Sequence, residues 1–233
     1  MKILSLILAR GGSKRLIGKN IRILGGKPLV VWSINVAKDI PEICDILVST
    51  DDPAIAEVCR DAGTLVPWLR PSELATDTAT SVDAALHALD WYETTKGAVD
   101  GLLLLQPTSP FRTKETVRKG IELFLKHDQK VVLGVSPAHV HPTWSMKIEG
   151  EYLVPIVQRE RLEPVSLPLP PAYVVNGSIY LISPAELRAC RSFMPVKAVP
   201  LLSGSPQEEL DIDTEFDFKM AEAMLLMGLA GSE

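Results

Sequence analysis

The chain has 233 residues, 46% hydrophobic and 23% charged, with a formal net charge of −5 at pH 7. That length allows one large domain and that apolar content a substantial core, which excludes a disordered or collagen-like chain. The acidic balance argues against nucleic acid as a partner, and no apolar run approaches the roughly 20 residues needed to cross a bilayer, so no membrane partner is expected.

Ile3–Leu8 reads as a buried first strand. It empties into Ala9-Arg10-Gly11-Gly12-Ser13-Lys14-Arg15, with Lys19 and Asn20 close behind. Two glycines allow a sharp turn whose N–H groups can converge on one spot. Arg10, Lys14, Arg15 and Lys19 concentrate positive charge at a strand's carboxyl end, where open α/β sheets bind ligands. Such a loop suits a polyphosphate, although it is neither a Walker A motif nor a dinucleotide fingerprint. Pro28–Lys38 has apolar residues at helical spacing, with Pro28 placed in the first turn. Asp45–Ser49 is a second strand, and Pro53–Ala62 a helix that Asp52 can cap. A helix over Ser81–Glu93, a strongly apolar strand over Gly101–Leu105, a helix over Thr113–Lys126 and a strand over Lys130–Val135 follow. This alternation over residues 1 to 136 predicts a doubly wound α/β fold with a mostly parallel sheet.

The rhythm breaks over residues 137–175, where His139, His141 and prolines including Pro142, Pro155, Pro164, Pro168, Pro170 and Pro171 exclude a long helix and central strands. The segment reads as an extended arm or small β-rich excursion inserted in a single domain spanning 1–233. Its apolar residues, among them Trp144, Tyr152, Leu153, Val157 and Leu162, need cover that a second subunit can give. Regular structure resumes with a strand over Asn176–Ile182, a helix over Pro184–Cys190, a strand over Lys197–Val199 and a last helix over Thr214–Gly228, with Glu215 and Asp217 in its first turn. Cys44, Cys59 and Cys190 show no metal or disulfide spacing and read as free thiols. With no signal-peptide pattern, a reduced cytoplasmic setting is expected.

Other segments carry candidate chemistry. Gln106-Pro107-Thr108-Ser109-Pro110 follows the apolar strand and sets small polar groups between two prolines, which suits a polyol or sugar; a capped turn is the simpler reading. Leu69-Arg70-Pro71 and Asp77-Thr78-Ala79-Thr80-Ser81 form a long polar connection, either a binding loop or a helix start capped by Thr80 or Ser81. In Asp211-Ile212-Asp213-Thr214-Glu215 the two aspartates project to the same side of an extended chain and can share Mg²⁺, while Asp213 or Thr214 can cap the last helix. His139 and His141 lack partners at metal spacing and read as solvated.

Taken in order, these motifs, with Ser49-Thr50-Asp51 and Asn176-Gly177-Ser178-Ile179-Tyr180, closely resemble the acylneuraminate cytidylyltransferase family, the CMP-sialic acid synthetases and their relatives. The resemblance covers essentially the whole chain. It implies a Rossmann-like nucleotidyltransferase fold, a homodimer whose arms cover each other's sites, and a reaction of CTP with a nonulosonic acid, a nine-carbon keto-sugar acid, giving the CMP-sugar and pyrophosphate. By match, Arg10, Gly11, Gly12, Ser13, Lys14 and Lys19 hold the triphosphate. Asn20, Arg70, Ala79 and Ser81 contact the cytidine. Gln106, Thr108, Ser109, Asn176 and Tyr180 line the sugar pocket, and Asp211 and Asp213 bind Mg²⁺. Arg10, Lys19, Asp211 and Asp213 are the catalytic set. Sialic acid members carry arginines just before Asn-Gly; here the stretch from Pro164 to Val175 has none, and Val174 stands near the expected place. Arg159 or Arg161 can compensate, and the pocket then suits a less polar, legionaminic-type sugar. Two alternatives stay open: a GTP-using guanylyltransferase for such a sugar, and a non-catalytic nucleotide- or sugar-binding module.

Overall fold

A computed structural model describes residues 1–157 and 169–230. Pro164, Ser166, Pro168, Leu162, Arg159 and Arg161 therefore lie outside the described residues. In chain order the strands are β1 (Ile3–Leu8), β2 (Ile23–Leu24), β3 (Lys27–Pro28), β4 (Ile43–Ser49), β5 (Gly101–Leu104), β6 (Val132–Pro137), β7 (Met146–Glu149), β8 (Tyr152–Pro155), β9 (Tyr173–Ile182) and β10 (Val199–Leu202). The helices are α1 (Leu29–Ala37), α2 (Pro53–Asp61), α3 (Ser81–Lys96), α4 (Lys114–Lys126), α5 (Pro184–Cys190) and α6 (Glu215–Leu226).

Six strands form one sheet in the order β10-β6-β9-β5-β1-β4. All its pairings are parallel except those of β9, which runs antiparallel to both β5 and β6. The α/β architecture read from the alternation is thus present, with a mostly parallel sheet. Both faces of β1 are buried. Ile3 and Ile7 join α1, α2 and α4 residues on one side, and Leu4 and Leu6 join α3 and α5 residues on the other. That is why β1 and β5 read as unbroken apolar runs rather than as alternations. A third cluster packs α6 against the β2–β3 hairpin and α1 through Leu24, Trp32, Phe111, Ile212 and Phe218.

Helix starts follow cap chemistry. The Asp52 carboxylate accepts from the N–H groups of Ala54 and Ile55, and Thr80, Thr113 and Ser183 cap α3, α4 and α5. Thr214 and Asp217 form a reciprocal capping box on α6, which settles the choice between Asp213 and Thr214 in favour of the threonine. Pro28 sits one residue before α1, as the last residue of β3.

The β2–β3 hairpin was not expected, β4 begins two residues early, β6 is displaced two residues later, and β9 and β10 depart further. β9 begins at Tyr173, inside the stretch read as arm, because Tyr173, Val174 and Val175 pair with Pro137, Ser136 and Val135 of β6. β10 covers 199–202 rather than 197–199 and tolerates Pro200 because it is an edge strand. Within residues 137–175, β7 and β8 form an isolated antiparallel hairpin. Its Ile148, Tyr152 and Leu153 are 76%, 77% and 66% exposed. The three cysteines are free thiols, Cys59 buried and the other two exposed.

Candidate active site

The loop after β1 is shaped by two aspartates. The Gly11 N–H donates to Asp51 Oδ1 at 3.0 Å. A Cβ on Gly11 would lie 2.6 Å from Asp52 Oδ2 and 2.9 Å from its Cβ. Gly11 is therefore required by space. Neither Gly11 nor Gly12 has positive φ; close packing against the α2 cap constrains Gly11, and its N–H faces Asp51. Asn20, 5% exposed, donates to the Arg10 carbonyl at 2.8 Å and braces the loop from below.

The loop's four cations meet two carboxylates. Arg10 and Lys14 pair with Asp77 at 3.2 and 2.5 Å, and the hydrogen bond from Lys14, more than any other influence, holds the Asp77 carboxyl below its ordinary value. Arg15 and Lys19 pair with Asp213 at 2.9 and 3.1 Å. Lys19 also donates to the Ile212 carbonyl at 3.1 Å. Arg22 forms a bidentate pair with Glu215 in the first turn of α6. These contacts staple the glycine-rich loop to the segment entering α6.

The loop borders a cavity of about 550 Å³, whose wall includes Ser13, Lys14, Asn20, Arg70, Ala79 and Ser81. Arg10, Lys19, Gln106, Thr108 and Asp213 line it too. That volume lies within the range of nucleotide-sized sites. Arg70, 7% exposed, is anchored by donating from Nε to Ser49 Oγ and from its other side to the Ser49 carbonyl. Gly11 and Gly12 do not line this cavity.

A second cavity of about 280 Å³ adjoins it, lined by residues that include Gln106, Val174, Val175, Asn176, Tyr180 and Asp211. Gln106 borders both cavities. Ile212 is fully buried and turns its two neighbours toward the cavities, Asp213 to the first and Asp211 to the second. Asp211 is exposed as a residue, yet protein crowding around its carboxyl raises it above the ordinary value; a hydrogen bond from Thr108 opposes this and the charge of Asp213 reinforces it. Burial, then Asp211, likewise raises the Tyr180 hydroxyl, against a hydrogen bond with Gln106.

The second cavity is built on an irregularity in β9. Leu133 pairs with Tyr180 and Val135 with Val175, so residues 176–179 stand opposite Gly134 alone. Gly177, with φ of 76°, supplies the left-handed turn this needs. The Asn176 side chain holds the bulge: Oδ1 accepts from the Ser178 N–H and hydroxyl at 3.0 and 2.7 Å, and Nδ2 donates to Ser136 and Ser203 at 2.9 and 2.5 Å. Its polar atoms are thus engaged in shaping the wall. Ser109 is fully buried, with its hydroxyl unpartnered among the described residues, and lines neither cavity.

Sequence reasoning gave four side chains no role here. His139 lines the second cavity 3.3 Å from Glu209, which lines it as well. Arg112, 2% exposed, donates to the carbonyls of Gln106 and Ser178 and to Ser33 Oγ. A cation one residue before a helix cap opposes the helix dipole, and that was the available signal for Arg112. Asp77 lay in a quoted motif, with no sign that it would face Arg10 and Lys14.

The cytidylyltransferase family model matches residues 4–146. A CMP-N,N′-diacetyllegionaminic acid synthase of Legionella pneumophila is 39% identical over 227 residues, 97% of each chain. An N-acylneuraminate cytidylyltransferase of Streptococcus agalactiae is 32% identical over 94% of this chain, which spans only about half, 52%, of that relative. A solved CMP:2-keto-3-deoxy-manno-octonic acid synthetase complexed with CTP superposes with a TM-score of 0.68 at 16% identity, covering 98% of this chain and all of the other, and so supports the fold alone. The matched family model, the relatives and the ordered motifs agree: the chain is a nucleotidyltransferase of the acylneuraminate cytidylyltransferase family.

Proposed function

We propose that the chain activates a nonulosonic acid of the diacetamido, legionaminic type with CTP, giving the CMP-sugar and pyrophosphate. The observation that carries this reading is the pair of adjoining cavities, one bordered by Arg10, Lys14 and Lys19, the other by Val174 and Val175, sharing Gln106 as their common wall. The likeness to the Legionella synthase over 97% of both chains supports the choice of sugar.

In this reading the triphosphate lies along the loop, with Arg10, Ser13, Lys14 and Lys19 neutralising it and Asn20, Arg70, Ala79 and Ser81 around the cytidine. The sugar occupies the second cavity against Gln106, Asn176 and Tyr180, with Thr108 on the neighbouring wall of the first. A hydroxyl oxygen of the sugar attacks the α-phosphorus, the bond from that phosphorus to the bridging oxygen breaks, and pyrophosphate leaves with the electron pair. The loop cations stabilise the charge that builds on the leaving group. The hydroxyl proton passes to solvent.

Mg²⁺ fits the aspartates. Asp211 feels the like charge of Asp213, a repulsion a cation relieves, and both present the hard oxygens that Mg²⁺ takes alongside phosphate oxygens and water. When bound, the ion would polarise a phosphoryl oxygen and lower the pKa of a coordinated hydroxyl. The exposed β7–β8 hairpin, with Trp144 51% exposed beside it, is the surface for a second copy of the chain, since an isolated two-stranded hairpin is marginally stable in water. None of the described helices is long and apolar enough to cross a membrane; free thiols and the supply of CTP fit a cytoplasmic setting.

The test is pyrophosphate release by the purified protein with Mg²⁺, CTP or GTP, and a panel of nonulosonic acids. Turnover of a diacetamido acid with CTP is expected. Preference for GTP would replace the base assignment, preference for N-acetylneuraminate the sugar, and silence with every pair would favour a binding module.

A further inference from the structure

The β5–β9 ladder stops abruptly beside the site. Leu102 pairs with Ile182, Leu103 with Leu181 and Leu104 with Tyr180, and there the pairing ends. Continued in register, it would bring Gln106 opposite Ser178. Instead, the guanidinium of Arg112 stands between them. Nε donates to the Ser178 carbonyl, one terminal nitrogen to the Gln106 carbonyl at 2.9 Å, and the other to Ser33 Oγ at 3.1 Å. Ser33 in turn donates to the Gln106 carbonyl at 3.0 Å. One planar fork therefore satisfies carbonyls on two strands where their ladder has been given up.

We infer that Arg112 is a positioning residue that splays β5 from β9 and so sets the second cavity. Without the guanidinium between the strands, the Ser178 carbonyl would be orphaned and the Gln106 carbonyl left to Ser33 and the Ser109 N–H, or the ladder would close by another register step. Closure would carry Gln106, the wall of both cavities, toward Ser178 and flatten the bulge that holds Asn176. An arginine is an expensive choice for a site 98% shielded from solvent, because its charge must be desolvated. Burial lowers its pKa to about 9, against the attraction of Glu208. It remains charged near neutral pH. Glu208, itself 3% exposed, supplies the counter-charge and is fixed by the Thr116 hydroxyl at 2.6 Å. Apolar packing would fill the space at lower cost, but could not hold two strands apart through their carbonyl oxygens.

This inference rests on reading the second cavity as the acceptor site, so its experiment has one arm that needs no acceptor. Arg112→Met and Arg112→Lys are made in the full chain, with Ser33→Ala as a milder variant should the methionine variant not fold. CTP affinity is measured by calorimetry, KM and kcat for the best acceptor are measured separately, and amide exchange is followed over residues 174–180. In Arg112→Met the acceptor KM is expected to rise roughly 10- to 100-fold, the scale of a misplaced positioning contact, with CTP affinity held within about threefold and exchange quickened over 174–180. Arg112→Lys, which keeps the charge and part of the donor set, restores some of the loss. Equal losses in CTP and acceptor binding, or unchanged exchange over 174–180 in a folded variant, would overturn the inference. Should wild-type protein turn over no nonulosonic acid, the functional reading fails, and the exchange and CTP arms still decide Arg112.

Discussion

Gly134→Ala tests the bulge beside the second cavity, the proposed acceptor site, at its tightest contact. The new Cβ would lie 2.1 Å from Ser178 Oγ, 2.8 Å from Asn176 Oδ1 and 3.0 Å from the Ile179 nitrogen. The first contact is about 1.3 Å short of ordinary van der Waals separation. Ser178 cannot swing aside freely, because its hydroxyl donates to Asn176 Oδ1 at 2.7 Å. Breaking that bond costs about 1 kcal/mol, and pressing on the Ile179 backbone adds roughly 1–3 kcal/mol of overpacking. The sum, about 2–4 kcal/mol, lowers Tm by roughly 5–15 °C in a domain of this size. Differential scanning fluorimetry reads the shift, and steady-state kinetics should show a raised acceptor KM with CTP KM little changed. Adding Ser178→Gly removes the 2.1 Å clash but leaves the backbone contact, so it should recover about half the loss. A single Gly134→Ala variant melting within about 1 °C of wild type, with unaltered kinetics, would refute the bulge as described.

Asp211→Asn should abolish turnover and raise the Tm of the metal-free protein near neutral pH. The folded Asp211 carboxyl titrates above its unfolded value, so its stabilising contribution is complete below the unfolded pKa and is lost as pH rises through the folded one; ionised, it is a liability. The gain should shrink in acid, and a lowered Tm at neutral pH would contradict the argument. Asp77→Asn should lower the apparent KM for CTP a few-fold, since the Asp77 carboxylate holds Arg10 and Lys14, which the triphosphate must recruit. A raised KM would mean that Asp77 orders the loop instead of competing for it.

Much of the frame was legible because it depends on local chemistry. β1 and β5 are buried on both faces and write themselves as apolar runs, while Asp52, Thr80 and Thr214 announce helices by their capping groups. The start of β9 was hidden because Tyr173–Val175 follow prolines and gain strand form only by pairing with β6, about 40 residues earlier in the chain. At the site, order along the chain was enough to bring Lys19, Gln106, Thr108, Asp211 and Asp213 together. It did not reveal that Asp211 borders the second cavity and Asp213 the first. The Gly11-Gly12 pair was read for backbone freedom, whereas the constraint on Gly11 is the bulk of Asp52, a neighbour that only folding supplies. Ser109 counted as a pocket residue by its motif, yet the turn carries it inward. Arg112, His139 and Glu209 act through partners far away in the chain, and single-sequence spacing has no access to those.

The staple between the glycine-rich loop and the entry to α6 also sets the order in which a newborn chain acquires its site. Arg15 and Asp213 are 198 positions apart. At roughly 5–20 residues per second, a ribosome delivers the cations some 10–40 s before the carboxylates that position them. Through that interval the emerging chain carries a basic loop with no partner at Asp213 or Glu215, open to any polyanion nearby. Completion of the staple thus waits for the segment entering α6, and a chain stalled before residue 211 would present the basic loop without the aspartates.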